Sequence, residues 1–135
     1  MTERQPRKIP LDPAKATQEF VKIYQSILGA EEDGKVTTDL LVRTWAYQRA
    51  NKINKDGVFG PASARAFLNK HTPFDKNPEA LDPRAVKLIQ WVLGEKVDGK
   101  WTEDNENALR ETQKTVGVKV TGIIDPETLD RILTA

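Results

Sequence analysis

The chain has 135 residues but no cysteine, one histidine and one methionine. Without cysteine it can form no disulfide scaffold, no thiolate nucleophile and no zinc site with cysteine ligands. A single histidine cannot supply a multi-histidine metal centre. No apolar run approaches the ~20 residues that cross a bilayer, which excludes a transmembrane helix. We therefore expect neither a metal site nor a cofactor.

The chain also has little net charge. Its 21 basic and 20 acidic side chains leave a formal charge of +1, which argues against a general nucleic-acid binder. The charge is uneven, because residues 1–70 hold 12 basic and 8 acidic side chains, whereas residues 71–135 hold 9 and 12. The N-terminus is polar and lacks the apolar segment of a secretory signal peptide. We expect a chain that is made in the cytosol, or that leaves the cell by some route other than a signal peptide.

An internal repeat organises the sequence. Shifting the chain by 65 residues aligns residues 21–70 with residues 86–135 without a gap, and 14 of the 50 positions are identical. Within each copy a [D/T]-G turn recurs after 23 residues, at Asp33 and Asp56 in the first copy and at Asp98 and Thr121 in the second. The pattern predicts helix, turn, helix, turn, helix in each copy.

Apolar spacing and turn chemistry favour an all-α fold. Phe20, Ile23, Tyr24 and Ile27 follow the spacing of an amphipathic helix. Each Asp-Gly or Thr-Gly step is typical of a tight reversal, and proline follows where two of the later helices would begin. An apolar residue two positions after each turn glycine is predicted to enter the core; these residues are Val36, Phe59, Trp101 and Ile124.

The order of these features resembles the three-helix peptidoglycan-binding domain of bacterial and phage proteins. That family shows a V-x-x-L-Q-x-x-L helix, a D-G-x-aromatic-G turn, a helix ending in A-V-x-x-F-Q-x-x-x-G-L, and D-G-I-V-G-P-x-T-x-x-x-L. Matches in the second copy include Val86, Ile89, Gln90, Leu93, Asp98, Gly99, Trp101, Ala108, Leu109, Gln113, Gly117, Gly122, Ile124, Pro126, Thr128 and Leu133. Matches in the first copy include Val21, Tyr24, Gln25, Leu28, Asp33, Gly34, Tyr47, Gln48, Asp56, Gly57, Phe59, Gly60, Pro61, Ser63 and Leu68.

The resemblance implies two tandem three-helix repeats joined by a proline-rich linker. The expected organisation is a flexible basic N-terminal arm over residues 1–15, a first repeat over 16–70, a linker over 71–83 and a second repeat over 84–135. The implied function is non-catalytic binding of peptidoglycan, as a phage or injection-particle component or as a targeting subunit for a separate hydrolase. The resemblance therefore implies action at the cell wall or in a phage or injection particle. The alternatives are a structural adaptor of a phage-like assembly and a small cell-wall hydrolase.

The candidate binding residues lie in the first copy. Two aromatic and two arginine side chains stand close together between positions 43 and 49, where they could stack on sugars and pair with stem-peptide carboxylates. Trp45 aligns with Arg110, so the second copy lacks this cluster. Ordinary packing of Trp45 is the alternative. The predicted ligand-binding residues are Arg43, Trp45, Tyr47, Arg49, Asp56 and Phe59.

No catalytic residue is predicted. His71 lies in the linker without a partner and is interpreted as a solvated side chain. The carboxylates near the turns could form the acidic pair of a glycosidase, but we interpret them as solvated acids and helix caps. These carboxylates are Glu31, Glu32, Asp33, Glu103, Asp104 and Glu106.

Overall fold

A computed structural model of the chain describes residues 5–11, 16–74 and 80–133. Parts of three predicted segments lie outside these residues. They are residues 1–4 and 12–15 of the basic arm, residues 75–79 of the linker and residues 134–135 at the end of the second repeat.

The described residues form six α-helices and no β-strand, which confirms the predicted all-α class. The helices are α1 (Gln18–Leu28), α2 (Thr38–Ala50), α3 (Pro61–Leu68), α4 (Pro83–Leu93), α5 (Glu103–Val116) and α6 (Pro126–Ile132).

Side chains fix the beginnings of these helices. The hydroxyls of Thr17, Thr37 and Thr102 accept hydrogen bonds from backbone N–H groups in the first turns of α1, α2 and α5, which satisfies donors that a helix start leaves open. Asp125 caps α6 in the same way. Helices α3, α4 and α6 begin with proline, whose missing N–H costs nothing at that position.

Helix α4 lies at the centre of the fold. It packs against α1, α3 and α5, and eight of its eleven residues are buried. Burial on all sides is expected of a helix that is apolar around most of its circumference. The apolar side chains of both halves therefore belong to one shared core, in which Phe20 of α1 lies 4.7 Å from Trp91 of α4, measured between ring centroids.

Two segments are held more closely than the sequence suggests. In the predicted flexible arm, Ile9 is buried in the core, and the Arg7 backbone N–H donates to the Val92 carbonyl at 2.7 Å. In the predicted linker, the His71 ring lies 4.5 Å from the Phe67 ring. The His71 side chain is 23% exposed, so the interpretation as a solvated side chain is wrong.

Candidate functional site: a groove on helix α2

A buried glutamine organises each of four turns. In every case the side-chain amide donates to the Asp or Thr that opens the turn and to a backbone carbonyl two residues later, while its oxygen accepts from the turn glycine N–H. For Gln48 these three distances are 2.9, 2.8 and 3.0 Å. For Gln113 they are 3.1, 2.9 and 3.0 Å. Gln25 and Gln90 repeat the arrangement.

These glutamine turns fix where the chain reverses and which side chains face outward. Because the amide satisfies three polar groups while almost fully buried, its replacement would leave backbone groups without partners. The glycines need the left-handed conformation that they adopt here, with φ of 77° at Gly57 and 73° at Gly122.

Hydrogen bonds within two of these turns lower the pKa values of the turn aspartates. The backbone N–H of Lys35 and the side chain of Gln25 hold the pKa of Asp33 below its usual value. Lys100 and Gln90 do the same for the pKa of Asp98. Because the hydrogen bonds favour the ionised carboxylates, these aspartates help to hold the turns together.

A shallow groove lies between α2 and the turn that follows it. It encloses about 290 Å³, and we call it the α2 groove. Apolar side chains form much of it: Leu41, Val42 and Trp45 are 38%, 59% and 40% exposed. The lining residues are Thr38, Leu41, Val42, Trp45, Lys55, Asp56 and Gly57.

Two cations lie against the Trp45 indole. The Arg49 guanidinium carbon and the Lys55 ammonium are each 5.7 Å from the ring centroid, within the range of a cation–π interaction. The Asp56 carboxylate also lines the groove, where its Oδ1 accepts from Gln48 and from the Val58 backbone N–H. The groove thus combines an apolar surface with two cations and one carboxylate.

The structure brings together three of the predicted binding residues and separates the other three. Trp45, Arg49 and Asp56 lie in or beside the α2 groove. Arg43 lies on another side of α2, where its Nε donates to Asp39 at 2.8 Å and Nη1 reaches the Gly29 carbonyl.

The two remaining aromatic residues face the interior. Phe59 is 3% exposed, and its ring stacks on Tyr24 at 5.1 Å. Tyr47 packs 6.0 Å from Phe59, and its hydroxyl is buried with no hydrogen-bond partner among the described residues. Burial raises the pKa of Tyr47. A ligand in the groove therefore has no access to Phe59, whose aromatic character serves the core.

Lys55, Leu41 and Val42 line the groove but are not among the binding residues predicted from the sequence. A signal was present, because Leu41, Val42 and Trp45 follow i, i+1, i+4 spacing and share one face of a helix. That face is not the buried one, which Leu40, Thr44 and Gln48 form.

The corresponding surface of the second half is closed. Arg110 and Glu106, which stand 65 residues after Trp45 and Leu41, form an ion pair at 3.0 Å. The Arg110 guanidinium lies over the turn: a Cβ added to Gly122 would meet its Nε and Nη2 at 2.9 Å. At Gly57, by contrast, the nearest atom to such a Cβ would be the Leu41 carbonyl oxygen, 3.9 Å away.

The second half matches a known family. The family model described as "Putative peptidoglycan binding domain" matches residues 85–132, which include α5, α6 and most of α4. Comparison with curated proteins and with solved structures gives no match. The family match supports peptidoglycan as a binding partner and the cell wall as the place of binding.

Two kinds of feature are absent from the described residues. None of the helices there has the length and apolar character needed to cross a bilayer. The same residues contain no group of three or more His, Cys, Asp or Glu side chains arranged to hold a metal ion.

Proposed function

We propose that this protein binds bacterial peptidoglycan through the α2 groove and does not cleave it. The observation that carries the proposal is the family match over residues 85–132. The groove supplies the contact, since an exposed indole beside aliphatic side chains can cover the apolar face of a sugar ring.

We propose that the first half of the chain is a second unit of the same kind as the half that the family model matches. Both halves use the same glutamine turns. Positions 65 residues apart also meet each other: Lys22 and Lys87 line one cavity of about 270 Å³, and Arg65 pairs with Asp130. Like positions meet in this way when two similar units pack about a two-fold axis. The units are residues 16–70 and 84–135, joined by residues 71–83.

The absence of catalysis is part of the proposal. Among the carboxylates that could serve an acid/base pair, Asp33 is engaged by Lys35 and Gln25, and Glu106 pairs with Arg110. A glycosidase needs two carboxyl groups facing a common substrate site. The engagement of Asp33 in a turn and of Glu106 in an ion pair favours a structural role for both.

The biological setting is also proposed. Binding without hydrolysis suits a subunit that brings a separate hydrolase to the wall, or a component of a phage or injection particle that contacts the wall. The protein would be made in the cytosol in either case. A small hydrolase is excluded if sacculi keep their turbidity and release no reducing ends when incubated with the protein.

Co-sedimentation with purified sacculi tests wall binding. We expect the chain to pellet with sacculi at low and moderate salt, and Trp45→Ala to weaken binding about tenfold, the equivalent of about 1.4 kcal/mol. Arg43→Ala is the matched control, because the structure places Arg43 away from the groove. Both variants should keep the wild-type thermal transition, since both side chains are exposed.

Two outcomes would contradict the proposal. If the wild-type chain stays in the supernatant, wall binding is wrong, and an adaptor that uses the exposed apolar side chains of α2 for protein contacts becomes the better account. If Trp45→Ala binds as tightly as the wild type, the contact lies elsewhere on the molecule.

A further inference from the structure

A wall polymer presents both neutral and anionic groups to a binding groove. Peptidoglycan offers neutral sugar faces, and it offers carboxylates on its stem peptides or, where these are absent, on the lactyl group of muramic acid. An apolar surface alone would contact only the sugar face. The α2 groove adds two cations, Arg49 and Lys55, that converge on one indole ring.

These cations have no carboxylate partner among the described residues. The nearest acidic group along the chain, Asp56, keeps its negative charge but accepts hydrogen bonds from Gln48 and Val58 and forms no ion pair with Arg49 or Lys55 among the described residues. Arg43, by comparison, is already paired with Asp39. A positive charge without an internal partner can neutralise a bound anion without first breaking an ion pair.

The corresponding face of α5 has the opposite character. Glu103 and Glu106 stand where α2 has Thr38 and Leu41, and the nearby cation Arg110 is paired with Glu106. A carboxylate approaching α5 therefore meets like charge and an occupied guanidinium.

We propose that the α2 groove recognises a carboxylate of the wall polymer, with Arg49 and Lys55 pairing with it while Trp45, Leu41 and Val42 contact the adjoining sugar or peptide. This inference rests on the proposed function, because it names the part of peptidoglycan that the groove reads. It makes Lys55 a specificity-determining residue and predicts that binding weakens as salt rises.

Chemical neutralisation of the wall tests the inference. Sacculi are amidated with methylamine and a carbodiimide, which converts carboxylates to neutral amides while leaving the glycan intact. Wild-type protein should bind amidated sacculi at least tenfold more weakly than untreated sacculi. The double variant Arg49→Gln/Lys55→Gln should bind untreated sacculi about as weakly, and amidation should change its binding little.

Further arms separate the sources of the carboxylate. An amidase removes the stem peptides and frees the lactyl carboxylate, which is amide-bonded in the intact polymer. Lost binding to these sacculi assigns the stem-peptide carboxylate, and retained binding shows that the groove accepts the lactyl carboxylate. Arg43→Gln, a charge-matched control, should remain as sensitive to amidation as the wild type.

The possible failures are distinguishable. No binding of the wild type to untreated sacculi overturns the proposed function itself. Full binding to untreated and amidated sacculi alike overturns only the carboxylate inference, as does an Arg49→Gln/Lys55→Gln variant that binds like the wild type.

Discussion

The second half of the chain matches the peptidoglycan-binding family model, yet the first half carries the open groove. On α2 the outward face presents Leu41, Val42 and Trp45, whereas α5 covers the same surface with the Glu106–Arg110 ion pair. The glutamine turns beneath both surfaces are alike. Two halves with the same glutamine turns therefore differ in a few outward side chains, and these side chains determine whether the surface is open to a ligand.

Replacing the buried glutamines tests whether the turns of the two halves contribute equally to stability. Gln48→Met and Gln113→Met keep the side-chain length but lose all of the amide's hydrogen bonds, so each should lower the free energy of unfolding by about 3 kcal/mol. The losses should be similar because the bonds are similar. Urea denaturation measures them.

The same experiment tests whether the halves unfold together. Because both contribute to one core around α4, each variant should unfold in a single transition. Gln18→Met, at an exposed position of α1, is the control and should change little. Two separate transitions, or a loss below about 1 kcal/mol in either variant, would contradict this account.

Acid should weaken the fold through its turn and cap aspartates. Burial alone would raise the pKa of Asp125, but hydrogen bonds from Thr128 and Thr121 outweigh it and the pKa is lowered. Asp82 caps the beginning of α4, and Arg84 lowers the pKa of Asp82 through a hydrogen bond. A lowered folded-state pKa means that the stabilisation is present above the usual value and is lost as pH falls through the lowered one.

We therefore expect the free energy of unfolding to fall as the pH drops below about 4. Urea titrations at neutral and acidic pH measure the change. Asp125→Asn should reduce this pH dependence more than Asp104→Asn, which alters an exposed residue in the first turn of α5. Equal pH dependence in the two variants would contradict the role assigned to Asp125.

A smaller effect is expected at the ends of α2 and α5. Lys52 adopts φ of 59° where the second half has Gly117 with φ of 83°. A side chain in this conformation costs about 1 kcal/mol, so Lys52→Gly should raise the melting temperature. Gly117→Ala should lower the melting temperature, and the two changes in the free energy of unfolding should be similar in size. An unchanged melting temperature in both variants would contradict the energetic difference between Lys52 and Gly117.

The sequence carried enough information for the helices and most of the turns. Apolar spacing, the Thr and Asp caps and the prolines act locally, so they can be read without tertiary structure. Phe59, Trp101 and Ile124 are buried as predicted, but Val36 is 39% exposed. A position relative to a turn glycine does not by itself determine burial, which depends on the helices packed beyond the turn.

The binding residues were harder to predict because they were judged by residue type. Arg43, Tyr47 and Phe59 have suitable chemistry, but the 100° step between helical residues and the core around Tyr24 direct them away from the groove. Lys55 joins the groove from the turn after α2. That proximity is tertiary, and sequence spacing does not specify it.

A reciprocal exchange between the two surfaces tests the central claim most directly. Leu41→Glu/Trp45→Arg gives α2 the residues that close α5, and Glu106→Leu/Arg110→Trp gives α5 those of the α2 groove. Sacculus co-sedimentation of both variants beside the wild type should show binding at least tenfold weaker for the first exchange and undiminished for the second. Undiminished binding by Leu41→Glu/Trp45→Arg would contradict the account, because the wall would then not be held by the α2 groove.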